Sequence, residues 1–353
     1  MRVQLIGAGR STKDERGAVA IMVAILSVVL IGVLAFVADF GMAYAHNRSL
    51  QNGADAAALA AAQEILEGSS GTDDCGEMVS TTPDASSTAT TIFNENAHLE
   101  ASLAGGGIAV ACNDPILPNR VVVTATGEQT SPGFFGGIFG AGDIGLTQTA
   151  TAVVGPAGTV LGMRPFAVCE AVADLRNTAP TTVVTIDFDN ADVGCGTASG
   201  NFGTLDIEGG TGSPGTSEVR EWIEDGYPDP VSTIPPFSFE GRTGTPSNDY
   251  SDQFEGILDD PIVLPVYDVR SGSGSNAIYN ITGFVSVQVC AVKLGPSSLL
   301  AGDCIETNAI TADSSKRFLQ FRFIQFIPVG ELNTTCELNS ACDPGLRVVK
   351  LAD

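Results

Sequence analysis

From Gly17 to Ala38 the chain reads GAVAIMVAILSVVLIGVLAFVA, 22 consecutive residues without a charge. As a helix this run is about 33 Å long, enough to cross the hydrocarbon core of a bilayer. The pattern then changes without a break. Leu50, Ala54, Ala57, Ala58, Ala61 and Ile65 recur at spacings of three and four, which puts them on one stripe of an amphipathic helix. Alanine favours helix and Gly68 is a natural stop, so the two patterns together predict one helix over about 18–67, roughly 75 Å long. Residues 69–83 predict a polar loop holding Cys75. A second helix is expected over 84–104, with Ala89, Ile92, Phe93, Ala97 and Leu103 on one side, broken by the glycines at 105–107.

Apolar–polar alternation predicts strands over 108–112, 120–128 and 144–154. Gly155-Pro-Ala-Gly158 is the expected hinge. Beyond it, strands are predicted at 182–188, 202–207, 262–267, 278–292, 317–327 and 346–351, with a helix at 217–226. Turns between them are rich in Gly, Pro, Asn and Asp. The expected fold is α+β: a long N-terminal transmembrane and amphipathic helix, a small α+β unit, then a mainly antiparallel β domain of sandwich or barrel type. The expected units are 1–16 as a cytoplasmic tail, 17–38 as the transmembrane helix, 39–154 as the helix plus small α+β unit, and 159–353 as an extracytoplasmic β-rich domain.

Charge gives the anchor a direction. Arg2, Arg10, Lys13 and Arg16 precede the apolar run and only Arg48 closely follows it, so the N-terminus is expected in the cytoplasm. A cleaved signal peptide is the competing reading, since Ala43-Tyr44-Ala45 suits a signal peptidase. The apolar run exceeds the usual length of such a signal, and the helical pattern continues past the site, which favours an uncleaved anchor. Five of the 17 basic and three of the 41 acidic residues lie at or before Leu50, leaving 12 and 38 beyond it, a net −26. That surface repels phosphate backbones, so nucleic acid is not an expected partner. Asp39, at the outer end of the span, reads either as an interfacial carboxylate or as a polar contact with another membrane helix. Small residues at Gly53, Ala57 and Ala61 let a second backbone approach closely, either the protein's own sheet or a partner helix.

All eight cysteines, Cys75, Cys112, Cys169, Cys195, Cys290, Cys304, Cys336 and Cys342, lie beyond the apolar run. An even count on one side of a membrane predicts disulfides in an oxidising compartment. Sequence-local pairing suggests 75–112, 169–195, 290–304 and 336–342. Zinc is not expected, because there is no C-x-x-C pair and the only histidines are His46 and His98. The same scarcity argues against a histidine-based catalytic site. Carboxylate pairs such as Asp187 and Asp189, or Asp259 and Asp260, arise freely in so acidic a chain. Asp187-Phe-Asp189-Asn190-Ala-Asp192 has the third carboxylate and the glycine displaced from a calcium loop. No catalytic residue, metal site or cofactor is expected.

The stretch RGAVAIMVAILSVVLIGVLAFVADFGMAY through RSLQNGADAAALAAA resembles the N-terminal segment of TadE/TadG-like proteins of Flp (tight adherence) pilus assembly. The matching positions are Arg16-Gly17, Asp39 and Gly41, then Leu50-Gln51 and Ala54-Asp55 leading into Ala57-Ala58-Leu59-Ala60. GFFGGIFGAGDIGLTQTATAVVG at 133–155 is similar to the family's next block, and 201–207 and 264–287 resemble TadG-like proteins. Pilin-like relatives carry a glutamate five residues after the glycine at which prepilin peptidase cuts. Here Met22 stands at that distance from Gly17, which implies the unprocessed, TadG-like type. Some relatives carry a von Willebrand A metal site beginning D-x-S-x-S. The nearest string, Asp84-Ala-Ser86-Ser-Thr88, lacks the last serine and reads as a helix N-terminus after Pro83. The resemblance implies a non-catalytic, single-pass component of Tad/Flp pilus assembly at the bacterial surface. Its partners would be other assembly proteins, met through Asp39, Gln51, Gly53, Ala57 and Ala61. A membrane-anchored adhesin or envelope-binding module is the alternative.

Overall fold

The computed structural model describes residues 16–69, 73–80, 84–97, 100–113, 118–135, 137, 140, 142–175, 182–187, 204–209, 214–234, 237–242, 247–272, 277–295, 298–304, 317–324, 331–333, 335–340 and 343–352. Helix α1 (Arg16–Glu67) runs for 52 residues without a proline, about 78 Å. At its end the Ser69 hydroxyl donates to the Leu66 carbonyl at 2.7 Å, occupying an acceptor that the helix leaves free.

The expected loop at 69–83 contains a short helix, α2 (Cys75–Ser80). Asp74 and Glu77 form a reciprocal capping box: the Glu77 N–H donates to Asp74 Oδ1 at 2.9 Å, and the Asp74 N–H to Glu77 Oε2 at 3.1 Å. The helix expected over 84–104 is shorter, α3 (Ala85–Asn96), because Ala97 turns extended. Leu103 belongs instead to strand β1 (Ser102–Asn113). The glycines at 105–107 therefore interrupt a strand, not a helix. Register jumps between Leu103 and Ile108, and Gly105 and Gly106 take φ of +65° and +78° in that bulge, values that a side chain would resist.

β1 pairs with β2 (Pro118–Ser131), β2 with β3 (Ile144–Pro156), and β3 with β14 (Arg347–Ala352), all antiparallel. One face of this sheet carries Val121, Val123, Ala125, Ala150, Ala152 and Val154, and packs against α1, α2 and α3 in one core. The strand expected at 346–351 was grouped by sequence with the distal β unit, yet it joins this first sheet. Two buried arginines bind the returning chain. Arg347 donates from Nη2 to the Asp73 carbonyl at 2.6 Å and lies 3.7 Å from Asp343. Arg120, 1% exposed, donates to the carbonyls of Asn333 (2.6 Å) and Cys336 (2.7 Å). Its burial lowers the guanidinium pKa, partly offset by Glu337.

The distal unit contains β4 (Thr159–Val160), β5 (Val168–Cys169), β6 (Val184–Asp187), β7 (Leu205–Asp206), β8 (Val231–Ser232), β9 (Phe237–Gly241), β10 (Pro261–Ser271), β11 (Ile278–Lys293), β12 (Leu299–Ala301) and β13 (Phe318–Phe323). Its larger sheet has the order β5-β10-β11-β13-β6, with β9 and β12 also on β11, and β7 on β9. Every pairing is antiparallel except β5 with β10. The helices are α4 (Glu170–Ala173), α5 (Thr216–Glu224) and α6 (Ser251–Gly256). A second core gathers Phe166, Phe254, Phe284, Phe321 and Tyr279, and reaches the back of the first sheet at Val348. The protein is thus a long apolar helix, small helices and mainly antiparallel sheets.

Disulfides join Cys75 to Cys112 (Cα–Cα 5.5 Å) and Cys290 to Cys304 (5.2 Å). Cys169 and Cys336 are also disulfide-bonded; Cys195 and Cys342 lie outside the described residues. The first bond clips α2 to the far end of β1 across 37 residues, the second closes 14. Loop-closure entropy then predicts losses of about 4 and about 3 kcal/mol for the Cys75→Ser, Cys112→Ser and Cys290→Ser, Cys304→Ser pairs. Denaturant unfolding of the two variants checks this, with the first pair expected to be the weaker protein.

Candidate interaction surface on the anchor helix

Helix α1 has two halves with opposite exposure. From Val19 to Phe40 its large apolar side chains are bare: Met22, Leu30 and Phe36 are 70%, 53% and 65% exposed. Among the described residues it is the one helix long and apolar enough to cross a membrane, and little of it is covered by protein there. From Leu50 onward the other pattern takes over. Leu50, Ala54, Ala57, Ala58, Ala61, Ala62, Ile65 and Leu66 are all buried in the core of the first unit. The change occurs within one continuous helix because both halves use helix-forming residues and differ only in what they face.

The small-residue stripe packs inside the molecule. A Cβ placed on Gly53 would lie 2.7 Å from Ala97 Cβ and 3.2 Å from the Phe93 ring, so this glycine lets α3 close against α1. Gly127 on β2 does the same from the other side: a Cβ there would meet Leu50 at 2.8 Å and Phe93 at 2.9 Å. The Phe93 ring thus fills a slot between two glycines. Gln51 is half-buried and donates to Asp55 Oδ1 at 2.7 Å, one turn along the same helix.

Asp39 is 9% exposed, and its carboxylate accepts the Phe135 N–H at 3.0 and 3.3 Å. It therefore holds the end of the β2–β3 hairpin. Two further contacts continue that seam up the helix. His46 Nδ1 and Ser131 Oγ lie 3.1 Å apart, and Gln148 donates to Asn47 Oδ1 at 2.7 Å. Ala35, Asp39, Ala43 and Leu50 form the covered stripe. Sequence reasoning missed these partners, since nothing local in α1 points to residues 131–148. The usable signal lay in the hairpin itself, where Phe134, Phe135, Ile138 and Phe139 stand in a glycine-rich turn sequence.

The other candidate residues do not gather into a reaction centre. Ser131 is 1% exposed, so its hydroxyl beside His46 is not presented to a substrate. His98 and most of Asp187–Asp192 lie outside the described residues. Asp259 accepts the backbone N–H groups of Asp303 (2.6 Å) and Cys304 (2.9 Å), which holds the loop of the second disulfide. Among the described residues no group of three or more His, Cys, Asp or Glu is placed to hold a metal ion.

Glu170, Asp174 and Asp343 line one small cavity beneath β10 and β11. Partial burial, then the charges of Asp174 and Asp268, raises the Glu170 pKa. A raised carboxyl pKa favours the folded state at low pH, and that contribution is lost as pH rises through the folded value. Glu170→Gln should therefore melt higher than the parent at neutral pH, and that gain should shrink as pH is lowered. Identical profiles would contradict the crowding of these carboxylates.

Residues 17–64 match the family model described as Flp pilus-assembly TadE/G-like. No curated protein and no solved structure matches the chain. The match spans both halves of α1, from the bare apolar segment to the buried alanine stripe, and stops at the end of that helix.

Proposed function

We propose that this chain, which carries a TadE/G-like Flp pilus-assembly segment at its N-terminus, is a non-catalytic, membrane-anchored component of Tad/Flp-type pilus assembly at the bacterial surface. One observation carries the reading. A single unbroken helix is bare and apolar over Val19–Phe40 and then becomes the central element of a folded unit, and the family match covers both parts. A helix built this way transmits position between a membrane and a rigid body.

The basic residues before the span support a cytoplasmic N-terminus. Disulfide-bonded cysteines beyond it support an extracytoplasmic location for the folded units. The acidic surface suits protein contacts better than nucleic acid. Labelling intact, wall-stripped cells with a membrane-impermeant thiol reagent tests the orientation. An introduced cysteine at Ser217, which is exposed on α5, is expected to react, and one at Ser11 is not. Ser69 is unsuitable for this purpose because it is buried. The reverse labelling pattern would sink the topology.

The assembly role is tested by co-purification of the tagged full chain from its native membrane. Enrichment of the pilus machine's inner-membrane platform is the expected result, together with loss of surface pili on deletion. The adhesin reading rests on the distal unit, which has its own core and lies beyond the matched residues. Normal pili in the deletion strain, with lost attachment to a surface or envelope glycan, would favour it and remove the assembly role.

A further inference from the structure

We propose that the tip of the β2–β3 hairpin is a second membrane contact, with Phe134 and Phe135 seated in the headgroup–acyl boundary of the bilayer that α1 crosses. The inference rests on the anchor reading of α1 and adds to it where the hairpin sits. Phe134 is 66% exposed and Phe135 42%, whereas most other aromatic rings among the described residues are buried. Adjacent exposed aromatics on a highly acidic protein form an apolar patch of the kind that marks a contact surface.

The position of the tip along α1 identifies that cover. The seam between hairpin and helix runs from Gly127 beside Leu50, through Ser131 beside His46, to Phe135 on Asp39. Rising strand numbers meet falling helix numbers, so the hairpin points toward the membrane half of α1. Asp39 directly follows the last residue of the uncharged run, Ala38. The covered stripe continues one turn deeper, at Ala35, which is 6% exposed. The four residues from Asp39 to Ala35 rise about 6 Å along the helix, and interfacial apolar groups settle about 5–10 Å into the headgroup–acyl boundary.

The polar groups nearby suit that depth. The Phe135 N–H is taken by Asp39 and the Gly133 N–H by Asp143 at 3.4 Å, so the backbone donors on either side of Phe134 have acceptors within the chain. Satisfied backbone is the condition for entering an apolar medium. Residues 132–142 carry no charge, and the carboxylates at this level, Asp39 and Asp143, each accept a backbone N–H. Phe36 and Phe40, ring centroids 5.3 Å apart and both over 60% exposed, bracket Asp39 on the helix and extend the aromatic level around it. A contact of this kind fixes the tilt and rotation of α1, because the helix can no longer turn about its axis without withdrawing the hairpin.

Tryptophan quenching in the full chain tests this. Trp222 is the only native tryptophan, lies on α5 at 4% exposure, and serves as the internal reference. Phe134→Trp and Leu30→Trp variants, both at exposed positions, are reconstituted into phosphatidylcholine vesicles brominated at shallow or deep acyl positions. The expected result is loss of most of the added Phe134→Trp emission with shallow bromines and of the added Leu30→Trp emission with deep ones. Quenching of Leu30→Trp alone overturns the hairpin contact and leaves the anchor standing. Quenching of neither removes the anchor reading as well. A blue-shifted Phe134→Trp signal that bromine does not quench overturns the inference in favour of a protein cover, a second copy or a partner.

Discussion

Replacing Phe93 with alanine is expected to lower the unfolding free energy of the full chain by about 3–5 kcal/mol. The ring is fully buried and stands between α1 at Gly53 and β2 at Gly127. Gly53 and Gly127 have no side chain to swing in, which leaves Leu50 as the flexible neighbour at that spot. A cavity that collapses only in part costs more than the transfer of the lost atoms alone. Phe93→Leu should fall between the parent and Phe93→Ala, since it restores part of the volume. Denaturant unfolding in detergent measures both, followed by far-ultraviolet circular dichroism. A loss under about 1 kcal/mol for Phe93→Ala, the cost of an ordinary substitution, would mean that the slot closes and that the helix layer is not keyed by this ring.

The second large effect is expected on α1 itself. Ala57 and Ala61 are completely buried against the first unit, and leucine at either adds three carbons where no space is left. Overpacking of this kind costs about 1–3 kcal/mol at each site. The two positions lie one turn apart and share neighbours, so their double variant will not be a simple sum. Gln63→Leu is the control. Gln63 is exposed and its side chain reaches only Glu67 at 2.9 Å, so its loss should stay within about 0.5 kcal/mol. Unchanged stability of Ala57→Leu, Ala61→Leu, combined with lost assembly in the cell, would instead place the stripe against a partner. Unchanged stability and unchanged assembly would leave the helix as a spacer.

The corrections to the sequence reading share a cause. The capping box at Asp74 and Glu77 was present in the string, but a helix of six residues adds too little periodicity to stand out from a polar loop. Leu103 fitted the stripe of α3 in spacing, yet α3 ends at Asn96 and the glycines beyond it serve a bulge. Glycine marks a departure from regular backbone without saying whether helix or strand is being interrupted. For the candidate surface, the residues of α1 were legible because they lie along one helix, whereas the hairpin partners of His46, Asp39 and Asn47 lie 85, 96 and 101 residues away in sequence.

Local order along the chain determined the membrane-length helix, its alanine stripe and most strands. These properties follow from residue type and spacing over a few turns, and neither depends on what lies opposite. Tertiary structure alone decided that the last strand, β14, returns to the first sheet. It also decided that Asp39 binds a backbone amide of the hairpin and that Gly53 faces Phe93. Such choices depend on shape and on satisfying buried polar groups, as when Arg347 finds the Asp73 carbonyl and Arg120 those of Asn333 and Cys336. Those partners are separated by more than 200 residues, and no periodicity in a single segment encodes a contact over that distance.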